Sequence, residues 1–391
     1  MHLSNQFPEL FRKEQYAVEI ALMDDKDLQD VISDELLAHE PIDGVYNKDY
    51  SLIPIGSLAG RGEAEHIPEK TMAVGFETFG AIAIEASVKM GLSKTMEQRS
   101  KQFVSNGRLD ESAFAGHLAD TFGRSVALRQ KQKWQKLSAA LFNLGGIPGG
   151  HLFFNHRLRV GGLADVPNIQ TIYDGCPLFV PPTNAHPAAS DGSLLGPTSM
   201  PVGITTDFAG AIADTGGYFN AFQFPPSYWA LKRVIQHFKF NMQFDDNNER
   251  YQYSPDTLFV SSYNLPRWIE ILRSHYIEPT AAGSQTNREN VFMVEGFKLN
   301  LVDSPYLIGN TWGVGKAKSR AIRILDPSQT EEPWAYYRDE DNRIYYCSYE
   351  KEWGFHICNW RAWCMGAYSV DGVTPPNFGA EATWDQIPAG V

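Results

Sequence analysis

The sequence predicts an α+β chain organised around one long helix, and three observations carry that prediction. An amphipathic pattern runs from Asp110 to about Asn143. A run of period two spans residues 72–92, where Met72, Val74, Phe76, Ile82, Ile84, Ala86, Val88, Met90 and Leu92 share one parity. After Tyr218 the chain breaks into short aromatic-rich runs divided by glycine and proline, the composition of strands and turns.

The helix is the clearest element. Asp110, Glu111 and Ser112 place acidic and capping groups at its start, where the helix dipole favours negative charge. Phe114, Leu118, Phe122 and Val126 recur at helical spacing, and Trp134, Leu137 and Leu141 continue the stripe. Arg129, Lys131, Lys133 and Lys136 load its second half with positive charge, and Gly145-Gly146 ends it. At ~1.5 Å per residue it would be ~50 Å long, a beam in something extended.

The remaining elements follow in order. Residues 1–48 read as an arm with helical stretches at Pro8–Leu22 and Lys26–Ala38, or equally as a helical hairpin opening a domain. Leu52, Ile53 and Ile55 give a short strand. Then come the charged, glycine-rich stretch Gly60–Lys70 and the ribbon, whose second parity carries Glu77, Glu85, Ser87 and Lys89. A two-stranded ribbon alone is barely stable in water, so its apolar face must lie on another surface. Residues 145–224 are irregular, with a strand at Gln170–Tyr173. Pro225-Pro226 opens a helix lined by Trp229, Val234 and Phe238. A strand at Thr257–Ser261, a helix at Leu265–His275 and a strand pair at Val291–Val294 and Lys298–Val302 come next. Two aromatic strands, Ile344–Tyr349 and Trp353–Met365, are joined by a turn at Glu350-Lys351-Glu352.

Charge and motifs narrow the function. With 34 basic and 46 acidic residues the net charge is −12, which argues against a general nucleic-acid binder. The four cysteines form no paired framework, the N-terminus lacks the shape of a signal peptide, and no stretch reads as a membrane span. Gly309–Ala317 resembles a phosphate loop, but Gly309 is one residue too far from Gly315-Lys316, and Ala317 cannot reach a metal. His356, Cys358 and Cys364 are a poor zinc set: on one strand the two cysteines would stand ~20 Å apart at ~3.3 Å per residue. Asp245-Asp246 and Asp339-Glu340-Asp341, each bracketed by Asn, Arg and Tyr in hairpin-like context, read as solvated turns. Neither catalytic nor cofactor nor metal residues are expected.

Several short segments carry a resemblance. Asp174-Gly175-Cys176-Pro177-Leu178-Phe179 with His186-Pro187, Ser254–Val260, and Val302-Asp303-Ser304-Pro305-Tyr306-Leu307 resemble stretches of phage head proteins. Together with the order of elements, the chain resembles the major capsid protein of tailed bacteriophages, of the Hong Kong 97-type fold. The resemblance implies an N-terminal arm (1–48), an extended β-ribbon loop (49–92) and a peripheral domain (93–224) holding a spine helix at 110–143. It further implies an axial domain (225–335) and a return to the peripheral domain with a C-terminal tail (336–391).

Implied with it is a structural protein whose copies form hexamers and pentamers and close into an icosahedral shell around double-stranded DNA, without sequence-specific binding. The location implied is the virion capsid, assembled in the bacterial cytoplasm, with no membrane partner. A separate scaffolding protein and a portal are expected partners, and a decoration protein is a further candidate. Arg61, Glu63, Glu65, Glu69 and Lys70 are the candidate intersubunit contacts. Arg129, Lys131 and Lys133 form a basic helix face, turned to acidic neighbours, to the lumen or simply to solvent. Some family members cross-link a loop lysine to an asparagine, for which Lys70 with Asn359 or Asn377 are the candidates here. The rival readings are an encapsulin or other virion component, and a β-rich hydrolase using carboxylates such as Asp245 and Asp246.

Overall fold

The computed structural model describes residues 36–42, 46–52, 74–93, 125, 128, 132, 135, 136, 138–143, 178–179, 219–240, 242, 253–274, 276–277, 288–293, 298–326, 334–339, 344–369, 372–381 and 384. The helical stretch expected at 8–22, nearly all of that at 26–38, the charged stretch 60–70, the strand at 170–173 and Asp245-Asp246 lie outside these residues.

Helix and strand are mixed, and the described strands form two main sheets. The larger contains β1 (Ala38–Pro41), β2 (Tyr46–Leu52), β3 (Val74–Ser93), β9 (Ile322–Asp326), β10 (Trp334–Asp339) and β11 (Ile344–Ile357), in the order β1-β9-β11-β3-β2 with β10 also on β11. β3 is the period-two run of the sequence, and Ser87 and Lys89 of its charged parity are exposed. At Ala81 this strand is flanked by Tyr46 on one side and Phe355 on the other. From there back to Val74 it pairs with β2, and onward to Ser93 it pairs with β11. Two arms of sheet therefore leave one junction in opposite directions.

Two expectations need correction here. Glu350-Lys351-Glu352 is no turn: β11 runs unbroken through it, with these residues opposite Ser87, Ala86 and Glu85 of β3. Three adjacent charged residues look like a turn in isolation, but the ladder holds them extended. The real break comes later, at the 3₁₀ turn Trp360–Ala362, where the Asn359 side chain accepts a hydrogen bond from the Arg361 amide. Ala38, assigned to the end of an arm helix, instead begins β1, which lies parallel on β9. The hairpin context of Asp339–Asp341 is present, since β10 ends at Asp339 and pairs back on β11 from Ile344.

The second sheet has the order β12-β8-β4-β7, made of β4 (Thr257–Ser261), β7 (Asn300–Ser304), β8 (Trp312–Gly315) and β12 (Trp363–Ala367). β4 is buried along its whole length, as expected of an apolar run covered on both faces. Helix α1 (Tyr228–Phe240) lies against β12. Pro225-Pro226 leads into it, and Ser227 accepts the Ala230 amide on its hydroxyl, 3.2 Å away. Val234 and Phe238 are fully buried on its inner face. Helix α2 (Leu265–Arg273) takes Pro266 in its first turn and buries Trp268 and Ile271.

Val291–Val294 was expected as a strand, but Val291–Met293 forms a 3₁₀ turn. The cause is Asn290, whose buried side chain donates to the carbonyls of Ile271 and Ser274 and accepts the Phe292 amide. Such local side-chain bonding competes with a ladder. The short strands β5 (Tyr276–Ile277) and β6 (Arg288–Glu289) pair just before it.

Candidate functional site

The long helix meets the second sheet at its end. Every described residue from 125 to 143 within it is helical. Ala139, Leu141 and Phe142 are fully buried. The Phe142 ring packs on Phe179, Phe259 and Trp363 at centroid distances of 5.6, 5.0 and 4.7 Å. Asn143, the last described residue of the helix, pairs with a neighbouring loop: its amide donates to the Tyr306 carbonyl and its Oδ1 accepts the Ile308 amide, both at 3.2 Å. This end of the described helix is therefore a plug in the second sheet. Farther back, Ser125 and Leu128 are exposed, and the Lys136 ammonium sits 5.4 Å from the centre of the Tyr306 ring. Arg129, Lys131 and Lys133 lie among these residues but outside those whose placement is described.

The apparent phosphate loop is packing. Trp312–Gly315 is the buried strand β8, and its glycines allow close approach rather than phosphate binding. A Cβ on Gly315 would collide with the Trp363 ring, and one on Gly366 with the Trp312 ring. Trp312 in turn donates from its indole nitrogen to the Phe224 carbonyl at 2.9 Å and lies 4.8 Å from Trp268 between ring centroids. Lys316 pairs with Asp256 at 2.5 Å. Asp256 also accepts from the Ala317 amide and Thr257, and these bonds hold its carboxyl below its ordinary range against the opposing effect of partial burial.

Cys358 and Cys364 form no disulfide and are buried in different surroundings. Cys364 sits in β12, where burial pushes its thiol well above the usual range and makes it unreactive. Cys358 follows β11 and meets Arg323 of β9, 2.6 Å from Nη2 to Sγ. That guanidinium, 4% exposed, also pairs with Asp49 of β2 at 2.6 Å and with Glu40 of β1. Burial disfavours its charge, but Cys358, Asp49 and Glu40 outweigh that and raise its pKa above the ordinary arginine value. Among the described residues, no group of three or more His, Cys, Asp or Glu has the arrangement of a metal site.

The predicted contact residues Arg61, Glu63, Glu65, Glu69 and Lys70 fall between β2 and β3, outside the described residues. Of the two strands that flank them in the chain, β2 carries Asp49, a partner of Arg323. Sequence reasoning missed the Arg323 cluster. Arg323 lies in a run with no motif, and its partners are remote in the chain. Of the two cross-link candidates, Asn359 is buried and engaged at the 3₁₀ turn, while Asn377 is exposed, its Oδ1 accepting the Gly379 amide at 3.1 Å.

Neither a family model nor a curated protein matches the chain. Solved structures do, among them a phage procapsid, the capsid of a GTA particle and structures from mycobacterium and Gordonia phages. The procapsid of satellite phage P4, including its size determination protein, is similar at 10% identity and a TM-score of 0.36, covering 92% of this chain and 98% of the other. The capsid of a native GTA particle is similar at 11% identity and a TM-score of 0.40, over 84% and 87%. An encapsulin complex from Synechococcus elongatus is similar at 9% identity and a TM-score of 0.38, over 88% and 89%. Likenesses of this depth leave the functional reading to rest on the chain's own residues.

Proposed function

We propose that the chain is the major capsid protein of a tailed, double-stranded-DNA bacteriophage, with a Hong Kong 97-type fold. Its copies form hexamers and pentamers that close into an icosahedral shell around the genome. The arm is 1–48, the extended loop 49–92, the peripheral domain 93–224 with return 336–391, and the axial domain 225–335. Sheet membership crosses this division: β1 of the arm and β9 of the axial span join the larger sheet, and β12 of the return joins the smaller. A scaffolding protein and a portal complete the assembly.

The observation that supports this most is the ribbon. β2 and β3 leave the shared junction at Ala81 as a two-stranded arm, and the highly charged residues 60–70 stand between them in the chain. A ribbon of that kind needs a second surface, and a neighbouring copy supplies one. Individually modest ion pairs from Arg61, Glu63, Glu65, Glu69 and Lys70 sum across a closed shell. Overall acidity suits a container that encloses DNA without gripping it.

Negative-stain microscopy of the expressed chain tests this, with any scaffold it needs supplied. Closed shells or six-fold capsomers are expected. A monodisperse monomer near 43.8 kDa under all such conditions overturns the reading. Deleting Gly60–Lys70 should leave a folded subunit that builds no stable shell, and normal particles from that deletion overturn the ribbon's role.

A further inference from the structure

We infer that Arg323 is a charge latch that joins the segment entering the larger sheet to the root of the ribbon, so that neither edge strand loosens alone. β1 and β2 occupy opposite edges of that sheet. In a flat sheet, the four spacings between them would span ~19 Å at ~4.8 Å each. The chain from Pro41 to Tyr46 reaches ~18 Å at most. The sheet must curl so that its edges approach, and one guanidinium meets a carboxylate from each: Glu40 of β1 and Asp49 of β2.

The coupling arises from burial. Arg323 is 4% exposed, and its Nε donates to nothing among the described residues. A cation so placed needs both carboxylates. With one removed, its charge is under-compensated and the buried rotamer loses to one that reaches water. The remaining carboxylate then loses its partner as well. Coupling of this kind is reciprocal. Neighbouring charged and titratable groups are Arg320, 4.0 Å from Glu40, the Cys358 thiol, and His356, which stands opposite Arg323 in the β9–β11 ladder. The latch does not depend on the shell reading.

Hydrogen–deuterium exchange on the purified full chain tests it. Asp49→Asn should speed exchange of the Ala38, His39 and Glu40 amides roughly tenfold, although the substitution lies on the other edge. Glu40→Gln should do the same to residues 46–52, and Arg323→Met to both strands. Thr257–Ser261 in the other sheet should be unchanged. Each substitution loosening only its own strand, or neither strand, overturns the latch. So does equal loosening of Thr257–Ser261, which marks a general loss of stability. If Arg323→Met does not fold, the two carboxylate variants give the same reading by themselves.

Discussion

Phe142, in the last turn of the long helix, stands edge-on to Trp363, the first residue of β12, at an interplanar angle of 66°. The helix is thereby fixed to a strand made near the other end of the chain. Phe142→Ala empties a fully buried aromatic site and should cost ~3–5 kcal/mol. Denaturant unfolding of the unassembled subunit should show this as a lower midpoint with an unchanged slope.

The close approach of β8 and β12 makes the opposite kind of prediction. Adding a methyl at Gly315 or Gly366 drives it into Trp363 or Trp312, both fully buried and unable to swing aside. Each Gly→Ala change should destabilise by ~1–3 kcal/mol through overpacking. Thermal unfolding of the two single variants checks this. Lys316→Ala, at the same apparent motif, should leave any nucleotide binding where it was, at nothing above background.

His237 predicts a pH dependence. It is fully buried in α1, its ring stacked on Phe219 and its Nε2 2.9 Å from the Phe219 carbonyl. Burial lowers its pKa from 6.5 to about 4, against the opposing effect of that hydrogen bond. The unfolded chain therefore binds the proton first. Stability is fully present above pH 6.5 and falls as pH drops from there towards 4, by up to ~1.4 kcal/mol per unit. His237→Gln, which keeps a donor but cannot titrate, should flatten that part of the profile. Denaturation midpoints at intervals between pH 7 and 4 measure it.

On the proposed shell reading, the charged stretch between β2 and β3 predicts a salt effect on assembly. Reversing Arg61 and Lys70 to Glu should reduce shell yield at low ionic strength. Salt should narrow the difference from the parent chain, because exposed charges are screened beyond ~10 Å at 0.1 M. Light scattering during assembly at stepped salt concentrations provides the comparison.

Elements governed by local pattern were readable from the sequence. Thr257–Ser261 is a strand with the predicted bounds, and the helix from Leu265 ends at Arg273, two residues early. The alternation along β3 placed Ser87 and Lys89 on the exposed side. Features decided by distant partners were not readable. Nothing near Glu350-Lys351-Glu352 announces that Ser87, Ala86 and Glu85 will hold it extended. The Val291–Met293 turn depends on Asn290 reaching the carbonyls of Ile271 and Ser274. Arg323 gathers Glu40, Asp49 and Cys358 from three separate strands or their ends, a convergence that no local window contains.

The pairing of Ser93 with Ile344 also has a meaning in time. At ~5–20 residues per second, the ribosome adds the partner of β3 on the order of 10 to 50 s after β3 itself. Until then its half from Ala81 onward has no β11 to rest on, and the junction that aims the ribbon does not exist. On the proposed shell reading, a nascent chain cannot present a completed ribbon root to another copy until synthesis has passed Ile357. Contacts so distant in sequence also make the search slow, so the ribbon root is among the last parts of the molecule to set.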